Sequence, residues 1–380
     1  MFKNITNGWL PLFNSAYIQF PRITVLNFNL TFYIDCPEAQ HHKKNSKVAQ
    51  YHCESLHTDH HIFIFRSDGH LFHSFLSLTK DKVNPEHLSL LVKTEWQLSY
   101  VTPLYQFRHT QLRSYSRQLS AFIAAEKQQG LAVEVEGLHS SFRVLFSVVQ
   151  GLSESDDDPE TVLIQIHSKP LFGKQDEPQK PIWSGWLTCI NGNSEYLRSL
   201  PEDFTCLPLF GSNGSEDLTS AVKSWFKQTF DCCFGPLEIS NTNLQWLVAL
   251  WTNCHREYDI QYLKMIWTLP VVPPLQVSYT VNSTDAWDLW NSVRQEMRAG
   301  EDEAENVNSI DIEEVIHFFE GLKNHFYRHF RLDLSGGSLN HISSALGSAK
   351  LSGRIKIAYS RYMITTLTLL TECALLKMPV

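Results

Sequence analysis

The sequence predicts an α+β protein of antiparallel, curved sheets with packed helices and mostly meander connections. Three observations carry this. Runs that alternate apolar and polar residues, such as "EWQLSYV" (95–101), share the chain with runs of helical period, such as "QLRSYSRQLSAFIAA". Several strand-like runs follow one another with short polar links, which favours antiparallel pairing over crossover units. No repeat of solenoid period interrupts them. A chain of 380 residues that is 43% hydrophobic has ample material for a large core.

In chain order, residues 1–85 form an atypical N-terminal extension, expected to be disordered or mispredicted. They are rich in Phe, Asn and His and show no sustained periodicity. A first α+β part spans 86–210. Its opening strand "EWQLSYV" stops at Thr102-Pro103, and a helix follows in which Leu112, Tyr115, Leu119, Phe122 and Ile123 share a face. Thr110 is placed to cap that helix and Gly130 to end it. "LAVEVE", "SFRVLFSVV", "TVLIQIHS" and "IWSGWLTCI" are strand-like, with polar loops between the last three. "EDFTCLPLFGSNGSEDL" is expected to be a long connection.

A second α+β part spans 211–380. "SEDLTSAVKSWFKQTF" has a capping serine and acids in its first turn, as a helix N-terminus favours. "NLQWLVALWTNC" continues the helical pattern, "YLKMIWTL" and "LQVSYTV" are strands, and a helix begins after Asn282 or Ser283. Eight acids and one arginine between Glu296 and Glu314 predict an exposed linker. The helix "DIEEVIHFFEGLKNHFYRH", the strands "FRLDL" and "RIKIAY" and a final helix complete the chain. That last helix, within Arg361 to Met378, holds four threonines and Glu372, so it is expected to be a buried helix and not a membrane span. The N-terminus lacks the small-residue cleavage site of a signal peptide.

A metal or catalytic site finds little support in these residues. Cys36, Cys53 and eight histidines from His41 to His73 are zinc-ligand types, but no C-x2-C pair or orderly H-x3-H follows. His325 and His329 have the spacing of an H-x3-H pair, yet Phe326 stands where a metalloprotease has Glu. Glu314-x-x-His317 resembles half of a di-iron motif without a second copy. The eight cysteines lack framework spacing and several sit in apolar runs, so free buried thiols are expected. Phosphate-binding glycine loops and the G-x-S-x-G elbow are absent. No enzyme, cofactor or metal is expected.

Charge is more informative. The chain carries −8, so any nucleic-acid contact needs a local basic face. Lys323, Arg328, Arg331, Lys350, Arg354, Lys356 and Arg361 face a single acid, Asp333, between 323 and 361. These seven are the candidate DNA-facing residues, the alternative being a solvated strand face. In "RIKIAY", Ile355, Ile357 and Tyr359 alternate with cations, and this strand is the candidate sheet edge onto which a partner adds its own strand.

"TPLYQF", "AFIAAEKQQGLAVEV", "EDFTCLPLF", "WFKQTFDC" and "HFYRHFRL" together resemble the centromere protein L family, in order over residues 86–378. That resemblance implies a non-enzymatic subunit of the constitutive centromere-associated network, the inner kinetochore, located in the nucleus at the centromere and serving chromosome segregation. It implies a heterodimer with centromere protein N made by joining β-sheets through the C-terminal sheet. Centromere protein C and the H/I/K/M subunits are implied nearby. It further implies a link to centromeric nucleosomes and a basic groove offered to DNA by the joined pair. Residues 1–85 depart from the Ser/Pro/Arg-rich tail usual in that family. Direct DNA binding through 323–361 is the alternative function, and a metal-dependent enzyme using the His-rich segment a third.

Overall fold

The computed structural model describes residues 89–129, 142–153, 158–168, 181–254, 262–298 and 309–378. It also describes the backbone of four short strands, β1 (Ile18–Gln19), β2 (Thr31–Ile34), β3 (His61–Ile62) and β4 (Ser74–Phe75). The His-rich stretch around 41–60 and the expected strand at 131–136 lie outside the described residues.

The alternation of Trp96, Leu98 and Tyr100 produces β5 (Glu95–Val101), followed by β6 (Leu104–Tyr105). A 3-10 turn over His109–Gln111 leads into α1 (Leu112–Gln129). Thr110 lies inside that turn and caps nothing. The entry is fixed instead by the Tyr115 hydroxyl, which accepts from the Arg108 N–H at 3.1 Å. β7 (Phe142–Val149), β8 (Thr161–Ser168) and β9 (Trp183–Thr188) form the expected antiparallel meander. After α2 (Ser194–Ser199) and β10 (Phe204–Thr205), the expected long connection proves to contain a central strand, β11 (Leu209–Asn213), seated between β5 and β9. Four of its five residues are buried, so it shows no alternation because both faces are covered.

α3 (Glu216–Phe230) starts at Ser215, whose hydroxyl accepts from the Leu218 N–H. β12 (Phe234–Pro236) and α4 (Asn241–Asn253) follow, then the hairpin of β13 (Leu263–Leu269) and β14 (Leu275–Val281). Asn282 caps α5 (Ser283–Met297). Past the short β15 (Ser309–Ile310), Asp311 and Glu314 make a capping box for α6 (Ile312–Phe330). "FRLDL" is not a strand. The helix runs through Phe330, Arg331 closes it in the left-handed region (φ 55°), and Leu334 is buried from an irregular turn. The next strands are β16 (Ser338–Ser343), β17 (Gly347–Lys350) and β18 (Arg354–Ile357), and α7 (Met363–Leu375) ends the described chain. Among the described residues no helix is long and apolar enough to cross a membrane.

One antiparallel sheet joins most of these strands in the order β2-β14-β13-β16-β17-β18-β5-β11-β9-β8-β7, with β12 also on β5. Its register separates two faces. Leu98, Gly211, Trp186 and Leu163 share one, and Ser99, Phe210, Leu187 and Val162 share the other. At the β7 end, α1 and α3 cover the second face, burying Tyr115, Leu119, Val222 and Phe226 against Ile164, Leu187 and Phe210. At the β14 end, α4 to α7 cover the first face, burying Trp251, Trp290, Phe318, Phe326 and Leu370 against Met265, Trp267, Tyr279 and Ile355. The helix layer therefore changes sides along the sheet. α3, which follows residue 210, packs with the first group of strands and not the second.

Candidate partner and nucleic-acid interface

Because the helices change sides, no helix among the described residues covers the second face of β13, β16, β17, β18 and the Glu95–Gln97 end of β5, and this stretch is mostly polar. The ladder pairs His341 with Lys350, Lys350 with Arg354, and Arg354 with Gln97. One step along, Lys264 pairs with Ser343, Ser343 with Ser348, Ser348 with Lys356, and Lys356 with Glu95. Strands lie about 4.8 Å apart, so Lys264 on β13, Lys350 on β17, and Arg354 and Lys356 on β18 extend across four strands within about 15 Å. Glu95 is the acid among them. Its carboxylate takes a 2.7 Å hydrogen bond from Lys350 Nζ, which holds the Glu95 carboxyl below its ordinary range. Arg354 Nε donates to Gln97 Oε1 at 3.2 Å, aligning the guanidinium along the face. Burial, helped by Lys350 and Lys264, pushes His341 down, so it adds no charge at neutral pH. At the border of the patch Lys223 of α3 donates to Ser99 Oγ at 2.9 Å, 5.8 Å from the Phe210 and Phe234 ring centres.

The seven cations picked from the sequence do not form one surface. Lys350, Arg354 and Lys356 lie on this polar face. Lys323 reaches over Trp267, 5.7 Å from the ring centre, and Trp267 points to the helix-covered face. Arg331 ends α6 with its N–H on Tyr327 O and its guanidinium 6.0 Å from the Tyr327 ring. Arg328 shares that helix and Arg361 lies in the turn Ser360–Tyr362 before α7. Lys264 was missed although the alternation of "LKMIWTL" carries the needed signal: with Leu263, Met265 and Trp267 inside, Lys264 must face out.

The sheet-edge assignment of Ile355, Ile357 and Tyr359 is corrected by the pairing. β18 is hydrogen-bonded to β17 on one side and β5 on the other. Ile355 and Ile357 are 1% and 4% exposed in the core, and Tyr359 lies beyond the strand. Among the described residues the sheet ends at β7 on one side and, on the other, at β14 with β2 paired to it. The rim of β7 is taken up by α1: the Ser116 hydroxyl accepts from the Phe146 N–H, and Ser120 Oγ donates to Phe142 O, both at 3.1 Å. β14 is built differently. It pairs with β13 over its full length and accepts β2 on its outer side. The hairpin tip beside it, Pro270 to Pro274, is exposed throughout, Val272 completely.

The histidine and carboxylate pairs serve the fold. His325 Nδ1 shares a 3.3 Å hydrogen bond with the Tyr279 hydroxyl, and its ring lies 4.4 Å from that of His329. Burial, reinforced by His329 and Arg328, pushes His325 down to about 3. The buried Glu314 carboxylate accepts from Arg298 Nε at 2.7 Å, Arg294 Nε at 3.4 Å and the Asp311 N–H at 3.0 Å. Among the described residues no group of three or more His, Cys, Asp or Glu is placed to hold a metal. Cys189, Cys206, Cys232 and Cys373 are buried thiols, Cys254 is half-buried and Cys233 exposed. Burial pushes the Cys232 and Cys373 thiols up to about 12, away from the reactive thiolate.

The family model described as Centromere protein L matches residues 90–375. Centromere protein L of Danio rerio is 57% identical over 300 residues, which is 79% of each chain. That of Homo sapiens is 40% identical over 302 residues, 79% of this chain and 84% of its own. That of Gallus gallus is 41% identical over 297 residues, 78% of this chain and 83% of its own.

Proposed function

The chain belongs to the centromere protein L family, and on that premise we propose that it is a non-enzymatic adaptor of the inner kinetochore in the nucleus. In this reading it forms a heterodimer with centromere protein N and helps link centromeric nucleosomes to the rest of the centromere network, including centromere protein C and the H/I/K/M subunits. The observation that carries it is the contrast between the two ends of the sheet. The β7 rim is occupied by serines of α1, whereas β14 accepts a further strand, as joining two sheets requires. The joining edge is therefore β14 and not β18. Mixing the full chain with centromere protein N is expected to give a one-to-one complex on size-exclusion chromatography. Hydrogen exchange at 275–281 should slow in that complex, and 354–357 should not change. No complex, or a complex that leaves 275–281 unaffected, overturns the assignment.

A second reading, direct contact with the DNA backbone, is favoured by the four cations on the open sheet face. Phosphates bind such a face through counterion release, so affinity falls steeply with salt. The quadruple change Lys264→Glu, Lys350→Glu, Arg354→Glu and Lys356→Glu should reduce the salt slope by about 3 to 4 if each cation meets one phosphate. The triple change Lys323→Glu, Arg328→Glu and Arg331→Glu on the opposite side should leave it alone. An unchanged slope in the first variant sinks this reading.

A further inference from the structure

An occupant of the β14 edge is present in the chain itself. β2 lies antiparallel to it, with Ile34 opposite Leu275, Tyr33 opposite Gln276, Phe32 opposite Val277 and Thr31 opposite Ser278. Thr-Phe-Tyr-Ile consists of β-branched and aromatic residues, the types that settle on a pleated surface. An uncovered edge strand is a template for unwanted pairing, and chains commonly shield such edges. β2 does so only in part: its register ends at Ser278, while β14 continues against β13 to Val281.

The hold of β2 on the edge is weak by construction. The flanking strands make pairings of their own, β1 with β3 and β4 with β15. A four-residue strand makes only a few ladder hydrogen bonds, each with a net return of about 1 kcal/mol. Neither of these pairings involves β14, so β2 can leave β14 with both of them kept.

We propose that residues 31–34 are an exchangeable, built-in cover of the β14 edge, paired with it in the free chain and displaced when a partner strand arrives. The displacement rests on the reading of β14 as the joining edge. The self-pairing does not.

The two parts are separated by one set of measurements on the full-length chain. Phe32→Pro with Tyr33→Pro removes two backbone donors and the strand geometry of β2. Hydrogen exchange at 275–281 should accelerate about tenfold in this variant while 263–269 and the melting temperature stay as in the wild type. Affinity for centromere protein N should rise about fivefold or more, because the binding-competent fraction is no longer reduced by self-pairing. Should the proline variant not fold, Thr31→Lys with Phe32→Lys gives the same readout. Equal exchange at 275–281 in wild type and variant overturns the cover itself. Faster exchange with unchanged affinity overturns the exchange with a partner. Absence of any complex in both proteins counts against the heterodimer reading, with hydrogen exchange still deciding the self-pairing.

Discussion

His325 is buried against Tyr279 and beside His329, and its environment keeps it neutral down to about pH 3. In the unfolded chain the imidazole protonates near pH 6.5. Between those values the unfolded state holds one more proton, so stability falls as pH is lowered from about 6.5 towards 3, by up to about 1.4 kcal/mol per pH unit. Comparing wild type with His325→Gln isolates this group from His341 and Asp285, which also titrate abnormally. Urea unfolding at pH 7 and pH 4.5 should show a smaller acid loss in the variant; an equal loss refutes the assignment. Glu314 supports a second prediction. Its buried carboxylate holds Arg294, Arg298 and the first turn of α6, so Glu314→Ala should cost about 3 kcal/mol by removing the charge-assisted bonds to both guanidiniums and the cap of the helix. Thermal melts of the variant check this. The sequence displayed both residues as half of a metal motif. What it did not display was which side chains from α5 and β14 would arrive beside them.

At the level of elements, local signals were read well and pairing was not. Caps at Ser215 and Asn282 follow directly from side-chain oxygens placed before helical runs. The inside–outside parity of β18 was legible as well, since Ile355 and Ile357 do face the core. Its neighbours were not legible, because β5 joins it from more than 250 residues away, and alternation looks the same on an edge and in the middle of a sheet. β11 escaped for the converse reason: covered on both faces, it has no alternation to detect. The α1–β7 rim offers a test of edge protection. Ser116→Ala with Ser120→Ala removes two hydrogen bonds to strand backbone, worth about 1 kcal/mol each. The variant should melt earlier and aggregate more readily on heating, as light scattering would show. Unchanged melting and scattering would mean that packing, and not these bonds, guards the rim.

At the scale of the molecule, the composition and strand pattern announced an α+β fold, but not that one sheet would run through both halves with its helix layer changing sides. That change follows from β5. Trp96 and Leu98 belong to the cluster under α4 to α7, and Val101 belongs to the cluster under α1 and α3. The strand is paired with β18 on one side and β11 on the other, so it ties the two cores together. A division at residue 210 would instead predict two units that melt independently. Gly353 lies at this seam with φ +78°, a conformation that disfavours any residue with a Cβ. Its carbonyl accepts from the Leu98 N–H at 2.8 Å, and an added Cβ would collide with the Leu237 carbonyl oxygen. Gly353→Ala therefore strains the place where the turn before β18 meets β5 and the Leu237 backbone. If the sheet is the cooperative unit, the variant unfolds at a lower denaturant concentration, and exchange at 161–168 in β8 and at 263–269 in β13 accelerates together. If only 263–269 responds, the two halves are separate units and the patch spanning β13 to β5 lies across a flexible joint. A joint shift of both segments leaves Lys264, Lys350, Arg354 and Lys356 on a single rigid surface, the geometry a polyanion contact needs.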